Sequence, residues 1–269
     1  MSATMKWTIT GLACVAAILA AYLGWQRQET TAVQDVAAMP RASTPATEAA
    51  PPATAPAAIQ HPVPEAAPAE PLPVLDDSDA ALAQALAELI GESEWRGWFL
   101  PERFVRRVVA TVDNLPRPHA PVKTWPLKPV GSWYLTAKAG DSLVAAPENV
   151  KRYAAYAALL EGLDMRRLAA IYLRFYPLFQ LAYVDLGYPN GYFNDRLVAA
   201  IDDLLAAPTP ATPPALVQTK VLYEFADPAL ERRSAGQKIM LRIGPAHADL
   251  ARAKLREFRA AIAAAPRAK

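Results

Sequence analysis

Residues 172–205 read YLRFYPLFQLAYVDLGYPNGYFNDRLVAAIDDLL. Outside one apolar run near the N-terminus, no other stretch is as dense in large apolar and aromatic side chains. The segment Gly187-Tyr188-Pro189-Asn190-Gly191 divides it, because glycine reaches positive φ and proline fixes its own φ, which together favour a tight reversal. The pattern predicts a helical hairpin at the centre of a core. Pro177 cannot donate to the carbonyl of Leu173, so a kink or break is expected there. Asn194 or Asp195 is placed to cap a second helix that carries Leu197, Val198, Ile201, Leu204 and Leu205. Tyr183, Tyr188 and Tyr192 cluster at the turn, where one ring is expected to face outward.

Working outward, the flanks continue the helical pattern. Pro147 opens a helix through Tyr153, Tyr156, Leu159 and Leu160 that Gly162 ends, and Asp164 is placed to cap the helix entering the central stretch. Further upstream, Asp76, Asp77 and Ser78 are expected to provide an N-cap and negative charge for a helix with Leu82, Leu86, Leu89 and Ile90 on one face and Gly91 as its stop. A short turn holds Trp95, Trp98 and Phe99, and Pro101 starts a helix through Phe104, Val105, Val108, Val109 and Val112 to Asp113-Asn114. Trp95 and Trp98, three apart, read as core packing in preference to a ligand platform. Residues 116–129 form a loop whose cations and His119 are scattered, as on a solvated surface.

Strands are few. Residues 132–137 and 142–145 flank Ala139-Gly140-Asp141, predicting a β-hairpin. Val217, Thr219, Val221, Tyr223 and Phe225 alternate along VQTKVLYEF, which reads as a third strand, since an isolated hairpin is only marginally stable. Asp227-Pro228 begins a turn, and Ser234 a helix with Ile239, Met240 and Ile243. After Gly244-Pro245 a last helix carries Leu250, Leu255, Phe258 and Ile262. The expected class is mainly α (α+β), a helical domain over 76–265 with a small antiparallel β-hairpin or three-stranded sheet.

The N-terminal part has a different composition. Trp7–Trp25 is nineteen residues without a charge, between Lys6 and Arg27. At about 1.5 Å per residue it spans roughly 28 Å, enough for a bilayer core, and Trp7, Tyr22 and Trp25 sit where interfacial aromatics belong. It reads as a single-pass, uncleaved transmembrane anchor contacting the lipid bilayer through residues 7–25, after a tail of residues 1–6. The small residues Ala20 and Ala21 lead directly into Tyr22, Leu23 and Trp25, unlike a signal-peptidase site. Cys14 is the one cysteine in the chain, so no intrachain disulfide forms. The residues around it fit a lipoprotein cleavage site poorly. Residues 26–75 are a Pro/Ala-rich disordered spacer, whose prolines block helix and sheet and favour polyproline II. A proline-recognition ligand is the sharper alternative, but consistent flanking basic residues are absent. Residues 266–269 are a short C-terminal tail.

Six segments, in this order, carry a resemblance: Phe104-Val-Arg-Arg-Val-Val-Ala-Thr-Val-Asp-Asn-Leu, Tyr176-Pro-Leu-Phe-Gln, Leu186-Gly-Tyr-Pro-Asn-Gly, Ile201-Asp-Asp-Leu-Leu, Tyr223-Glu-Phe-Ala-Asp-Pro and Lys238-Ile-Met-Leu-Arg-Ile-Gly-Pro. Together they resemble the bacterial family called domain of unknown function 3014, over about Leu72 to Ile262. The resemblance implies one domain, an N-terminal membrane helix, a Pro-rich linker and an envelope setting. It brings no activity and no catalytic residue.

The residues themselves point away from chemistry. Three histidines and one membrane-segment cysteine do not make a usual zinc site, and Gly-rich phosphate loops and Gly-x-Ser-x-Gly turns are missing. Asp202 and Asp203 are adjacent on a helix and point about 100° apart, so they do not share a site. Asp185 and Glu161 are the acids placed nearest the Tyr-rich helices, where a surface or capping role is expected. No catalytic, cofactor-binding or metal residue is assigned, and no cofactor is expected. From Asp76 onward there are 25 Lys and Arg against 21 Asp and Glu, a balance that does not point to nucleic acid. Ten Lys and Arg against three acids lie in 231–269, giving the last helix a basic face. The expected function is noncatalytic: a bacterial inner-membrane protein, single-pass, its globular domain in the periplasm, reaching an envelope protein or cell-wall partner. The alternatives are an envelope enzyme acting on a glycan through one of the scattered acids, and lipid-surface binding through the basic C-terminal helix.

Overall fold

A computed structural model describes residues 58–63, 71–219 and 221–263. The anchor 7–25, most of the spacer 26–75 and the tail 266–269 lie outside the described residues. Among the described residues, no helix is long and apolar enough to cross a membrane.

The nine helices among them are α1 (Asp79–Ile90), α2 (Glu92–Trp98), α3 (Phe104–Asn114), α4 (Asn149–Gly162), α5 (Met165–Asp185), α6 (Phe193–Leu205), α7 (Pro228–Glu231), α8 (Ala235–Arg242) and α9 (Pro245–Ala263). The central stretch is the hairpin α5–α6, and α1, α3, α6 and α9 all pack on α5. Its apolar faces explain why: Tyr172, Phe175, Phe179, Phe193, Val198 and Ile201 are buried in one cluster with Leu82, Val105 and Val109. Full burial of one such side chain contributes about 1.5–3 kcal/mol, so the hairpin dominates the core.

The reversal is made as expected. Gly187 takes φ 113°, its N–H reaches the Val184 carbonyl at 3.0 Å and the Tyr188 N–H reaches that of Tyr183 at 3.3 Å, the paired bonds of a Schellman motif. Two features within the hairpin differ from a simple reading of its residues. α5 continues as helix through Pro177, without the break. The proline is exposed, so its ring and the interruption in the ladder lie toward solvent, where no buried partner is lost. Nor does Asn194 or Asp195 cap α6, whose N-cap is Tyr192 without a side-chain bond. Gln180, from α5, performs that function: its Oε1 accepts the Phe193 N–H at 2.8 Å and its Nε2 donates to the Gly191 carbonyl at 2.8 Å. A long amide across the hairpin competes with the local cap and ties the two helices together.

A similar exchange sets the entry of α3, which starts at Phe104 and not at Pro101. Arg103 is left-handed at φ 54°, and the Asp79 carboxylate accepts the N–H groups of Arg103 and Phe104 at 2.6 and 2.9 Å. Ser78 is buried and gives its hydroxyl to the Leu75 carbonyl at 2.7 Å, so it does not cap α1. Asp164, Asp227 and Ser234 cap the helices that follow them, as their positions predict.

The sheet has four strands, β1 (Thr136–Ala139), β2 (Ser142–Ala145), β3 (Ala215–Val217) and β4 (Glu224–Phe225), antiparallel in the order β1-β2-β3-β4. The expected third strand over 217–225 is therefore two short ones. Val217 pairs back with Glu224, and the alternation through Val221 falls on a reversal instead of a face. Leu216 and Phe225 are register partners and both are buried. Asn149 anchors the hairpin to α4, its Oδ1 accepting from Leu135 N–H at 2.9 Å and its Nδ2 donating to the Leu135 carbonyl at 2.6 Å.

Candidate functional site

The acid most enclosed by the fold is Asp113, at the end of α3. It is fully engaged: Oδ1 accepts from Arg196 Nε at 3.0 Å, and Oδ2 from Arg117 at 2.7 Å and from the Tyr188 hydroxyl at 3.2 Å. Arg196 also donates to the Asp113 carbonyl. The cluster joins α3, α6 and the turn after α5. Held by this many donors, the carboxylate serves as an acceptor that fixes the packing of three elements. Tyr188 stacks on Tyr183 with centroids 4.5 Å apart, and none of Tyr183, Tyr188 and Tyr192 is exposed, against the expectation of an outward ring. Burial raises the Tyr183 hydroxyl above its usual value.

The other candidate residues do not converge. Asp202 pairs with Arg259, whose hydrogen bond holds the carboxyl below its ordinary range. Asp203 turns the other way, to the Ser234 hydroxyl at 2.6 Å and the Gln237 amide at 2.9 Å. Asp185 pairs with Arg106 at 2.9 Å, and Glu161 is exposed. Trp95 is buried against Phe99 and Phe104, and Trp98 meets Tyr156 edge-on. His119 is exposed in its loop. Among the described residues, no group of three His, Cys, Asp or Glu is placed to hold a metal, and no buried side-chain polar atom lacks a hydrogen-bond partner.

The basic C-terminal region is largely committed within the domain. Lys238 meets Glu231 at 2.8 Å, Arg252 meets Asp249 at 2.9 Å, and Lys254 donates to the Leu163 carbonyl at 2.8 Å. Burial opposes ionisation of Glu231, but Lys238 and the Phe225 N–H together bring its carboxyl below the usual range. Arg242 lies over the Phe225 ring, 4.7 Å from its centroid. These cations satisfy carbonyls and acids of their own fold.

Two concavities stand out among the described residues. A cleft of about 300 Å³ lies between the start of α4, the Pro208–Pro214 segment and the α8–α9 junction. Its buried Arg252 is turned to the Ala207 carbonyl and to Asp249. A broader depression of about 620 Å³ runs along α1 and α2 past Trp95 and Pro101. Neither brings an acid, base and nucleophile together. The surface beside the sheet is different in kind. Trp133 is 89 % exposed, Val221 86 % and Leu222 76 %. The rings of Tyr134 and Tyr223 are 6.0 Å apart, so the segments before β1 and before β4 meet through these tyrosines.

Comparison with known families decides the relationship. The profile described as "Protein of unknown function (DUF3014)" matches residues 104–259, from the first residue of α3 well into α9. The chain belongs to this family. The matched DUF3014 region takes in the α5–α6 hairpin, the Asp113 cluster, the whole sheet and the exposed apolar tips. No curated protein matches the chain, and no solved structure does. The Asp113 cluster was the feature that sequence reasoning missed. Its signal was Asp113 and Arg117 four apart at a helix end, but Arg196 and Tyr188 are distant in sequence and only the fold brings them there.

Proposed function

We propose that this DUF3014 protein is a noncatalytic interaction module of the bacterial envelope, tethered to the inner membrane by residues 7–25 and binding a protein partner through the exposed apolar residues that precede β1 and β4. The observation that carries this reading is the exposed apolar set Trp133, Val221 and Leu222 beside the Tyr134–Tyr223 pair. Exposed tryptophan and aliphatic side chains next to a tyrosine pair favour a protein surface, since aromatic anchors contribute most to such contacts. The tether and the periplasmic placement rest on the apolar segment and the proline-rich spacer. The internal commitments of Lys238, Arg242, Arg252, Lys254 and Arg259 weigh against a lipid surface at the C-terminal helix.

The test is photocrosslinking in intact cells from positions 133 and 222 of the full-length chain, with exposed Lys151 on α4 as control. The expected result is one protein crosslinked from both positions and not from the control, with its co-purification lost in a Trp133→Ser, Leu222→Ser double variant. Failure of positions 133 and 222 to give a common adduct would reject the reading.

A further inference from the structure

Residues 58–63, within the stretch that composition assigns to the spacer, lie on the folded domain. The hydrogen bonds found there are made through the segment's main chain, while the His61 side chain lies near enough to Asp202 to act on its carboxyl. The Asp195 carboxylate accepts two consecutive N–H groups, those of Gln60 at 3.0 Å and His61 at 2.7 Å. The Asn194 amide donates to the His61 carbonyl at 2.8 Å. The Tyr192 hydroxyl accepts the Val63 N–H at 2.8 Å. Pro62 stands at the position from which no N–H is required, and Val63 packs against the main core cluster.

The receiving residues are held in place from behind. Asn194 is fully buried. Its Oδ1 accepts the Tyr172 hydroxyl at 2.9 Å, and its Nδ2 also donates to the Ile262 carbonyl at 3.1 Å, so α5 and α9 fix its orientation. Tyr192 lies against Tyr176, with centroids 5.5 Å apart. Residues 192, 194 and 195 thus present a hydroxyl acceptor, an amide donor and a carboxylate acceptor to a chain that bends at Gln60 and His61. This explains why neither Asn194 nor Asp195 caps α6. A capping acid would turn back to its own helix, whereas Asp195 faces a separate strand of chain.

We propose that the first turn of α6 is a peptide-binding site, recognising a main chain that bends over two consecutive residues ahead of a proline and an aliphatic residue, and that Gln60–Val63 is its resting occupant. Recognition through N–H and C=O groups makes the site tolerant of the side chain at position 60. The Pro62–Val63 pair supplies register: proline disfavours helix in the residue before it, and the aliphatic side chain enters the core edge. The occupant is held in cis at an effective concentration in the millimolar range, so a competing peptide must be present at comparable levels or bind better. Under the tethered reading above, release of this segment would add about ten residues to the spacer, on the order of 30 Å at ~3.1 Å per residue. The peptide site itself does not depend on that reading.

The test uses the full-length chain carrying Gln60→Pro and His61→Pro, which removes the two N–H donors from the occupant and leaves the site residues unchanged. A synthetic hexapeptide of sequence AIQHPV, matching residues 58–63, is titrated to several millimolar and followed by ligand-observed NMR. The expected result is saturable binding that weakens at least tenfold when Asp195→Ala is added, and at least tenfold weaker binding to the wild-type chain, whose site is filled. Hydrogen exchange of α5 and α9 verifies that each variant is folded. Absence of binding to the folded, vacated chain overturns the proposal, as does binding that Asp195→Ala leaves unchanged.

Discussion

Arg196 on α6 places its Nε 3.0 Å from Oδ1 of Asp113 on α3, and the side chain of Asp113 is 7 % exposed while that of Arg196 is 25 % exposed. Removing one member of such a pair leaves the other charge poorly solvated, a larger effect than the net value of the pair itself. Asp113→Ala also strips an acceptor from Arg117 and Tyr188. Because Arg117 and Arg196 retain some solvent contact, the loss falls at the lower end for buried pairs, about 3 kcal/mol. Urea denaturation followed by circular dichroism is expected to show that loss with an unchanged m-value. A change under about 1 kcal/mol would assign the cluster no structural role.

The elements legible in the sequence were those specified by local chemistry. The Gly187 reversal, the Asp164 and Ser234 caps and the Gly91 and Gly244-Pro245 boundaries all depend on residues within one turn of their effect, and all stand where expected. The misassigned features depend on distant partners. Gln180 displaces Asn194 and Asp195 as the cap of α6, Asp79 moves the start of α3, and Val217 folds back on Glu224. The peptide segment 58–63 has no compositional signal, because its hydrogen bonds run through the main chain. The exposed residues Val221 and Leu222 were hidden for the opposite reason: alternation placed Val221 on one face of a strand, where the chain instead reverses.

Glycine positions separate packing from propensity. A Cβ on Gly236 would meet Leu204 Cδ2 at 2.7 Å and the Leu115 carbonyl oxygen at 3.2 Å, while one on Gly97 would meet nothing within 4 Å. Both lie inside helices. Alanine gains about 0.5–1 kcal/mol over glycine in a helix interior. Gly97 is the penultimate residue of α2, so Gly97→Ala is expected to stabilise by less than that, about a few tenths of a kcal/mol. Gly236→Ala is expected to destabilise by about 1–3 kcal/mol, since α8 must move away from α6 to admit the methyl group. Equal effects of the two substitutions on thermal midpoint would contradict this account.

Pro177 provides a measure of what the interruption within α5 costs. Pro177→Ala restores an N–H where the chain is already helical, and the exposed position leaves room for it. The gain is offset in part by greater freedom of the unfolded chain. A net stabilisation of about 1 kcal/mol is expected, well under the ~3 kcal/mol of an uncompensated helix-interior proline. Native-state hydrogen exchange at position 177 would show whether the new amide is protected. Rapid exchange together with lower stability would mean that the proline shapes α5 in a way the core requires.

The buried phenols at the centre of the hairpin predict the alkaline limit of the fold. Burial, with a smaller contribution from Tyr192, pushes the Tyr172 hydroxyl well above its usual value. Burial first, then the hydrogen bond and charge of Tyr192, does the same to Tyr176. A folded pKa above the unfolded one means that the native state holds the proton more tightly. The stability linked to it is complete below the unfolded value of about 10 and is lost as pH rises beyond it. Stability should therefore not fall on account of these groups between about pH 7 and 9, and should fall steeply above about pH 10. Phenolate absorbance and helical circular dichroism, titrated together, are expected to change in one step for these residues. Tyr172→Phe should shift that step upward in pH, although it also removes the hydroxyl that Asn194 accepts at 2.9 Å. Ionisation of both buried phenols while the helix signal stays intact would show that α5 and α6 open locally around Tyr172 and Tyr176 before the domain unfolds.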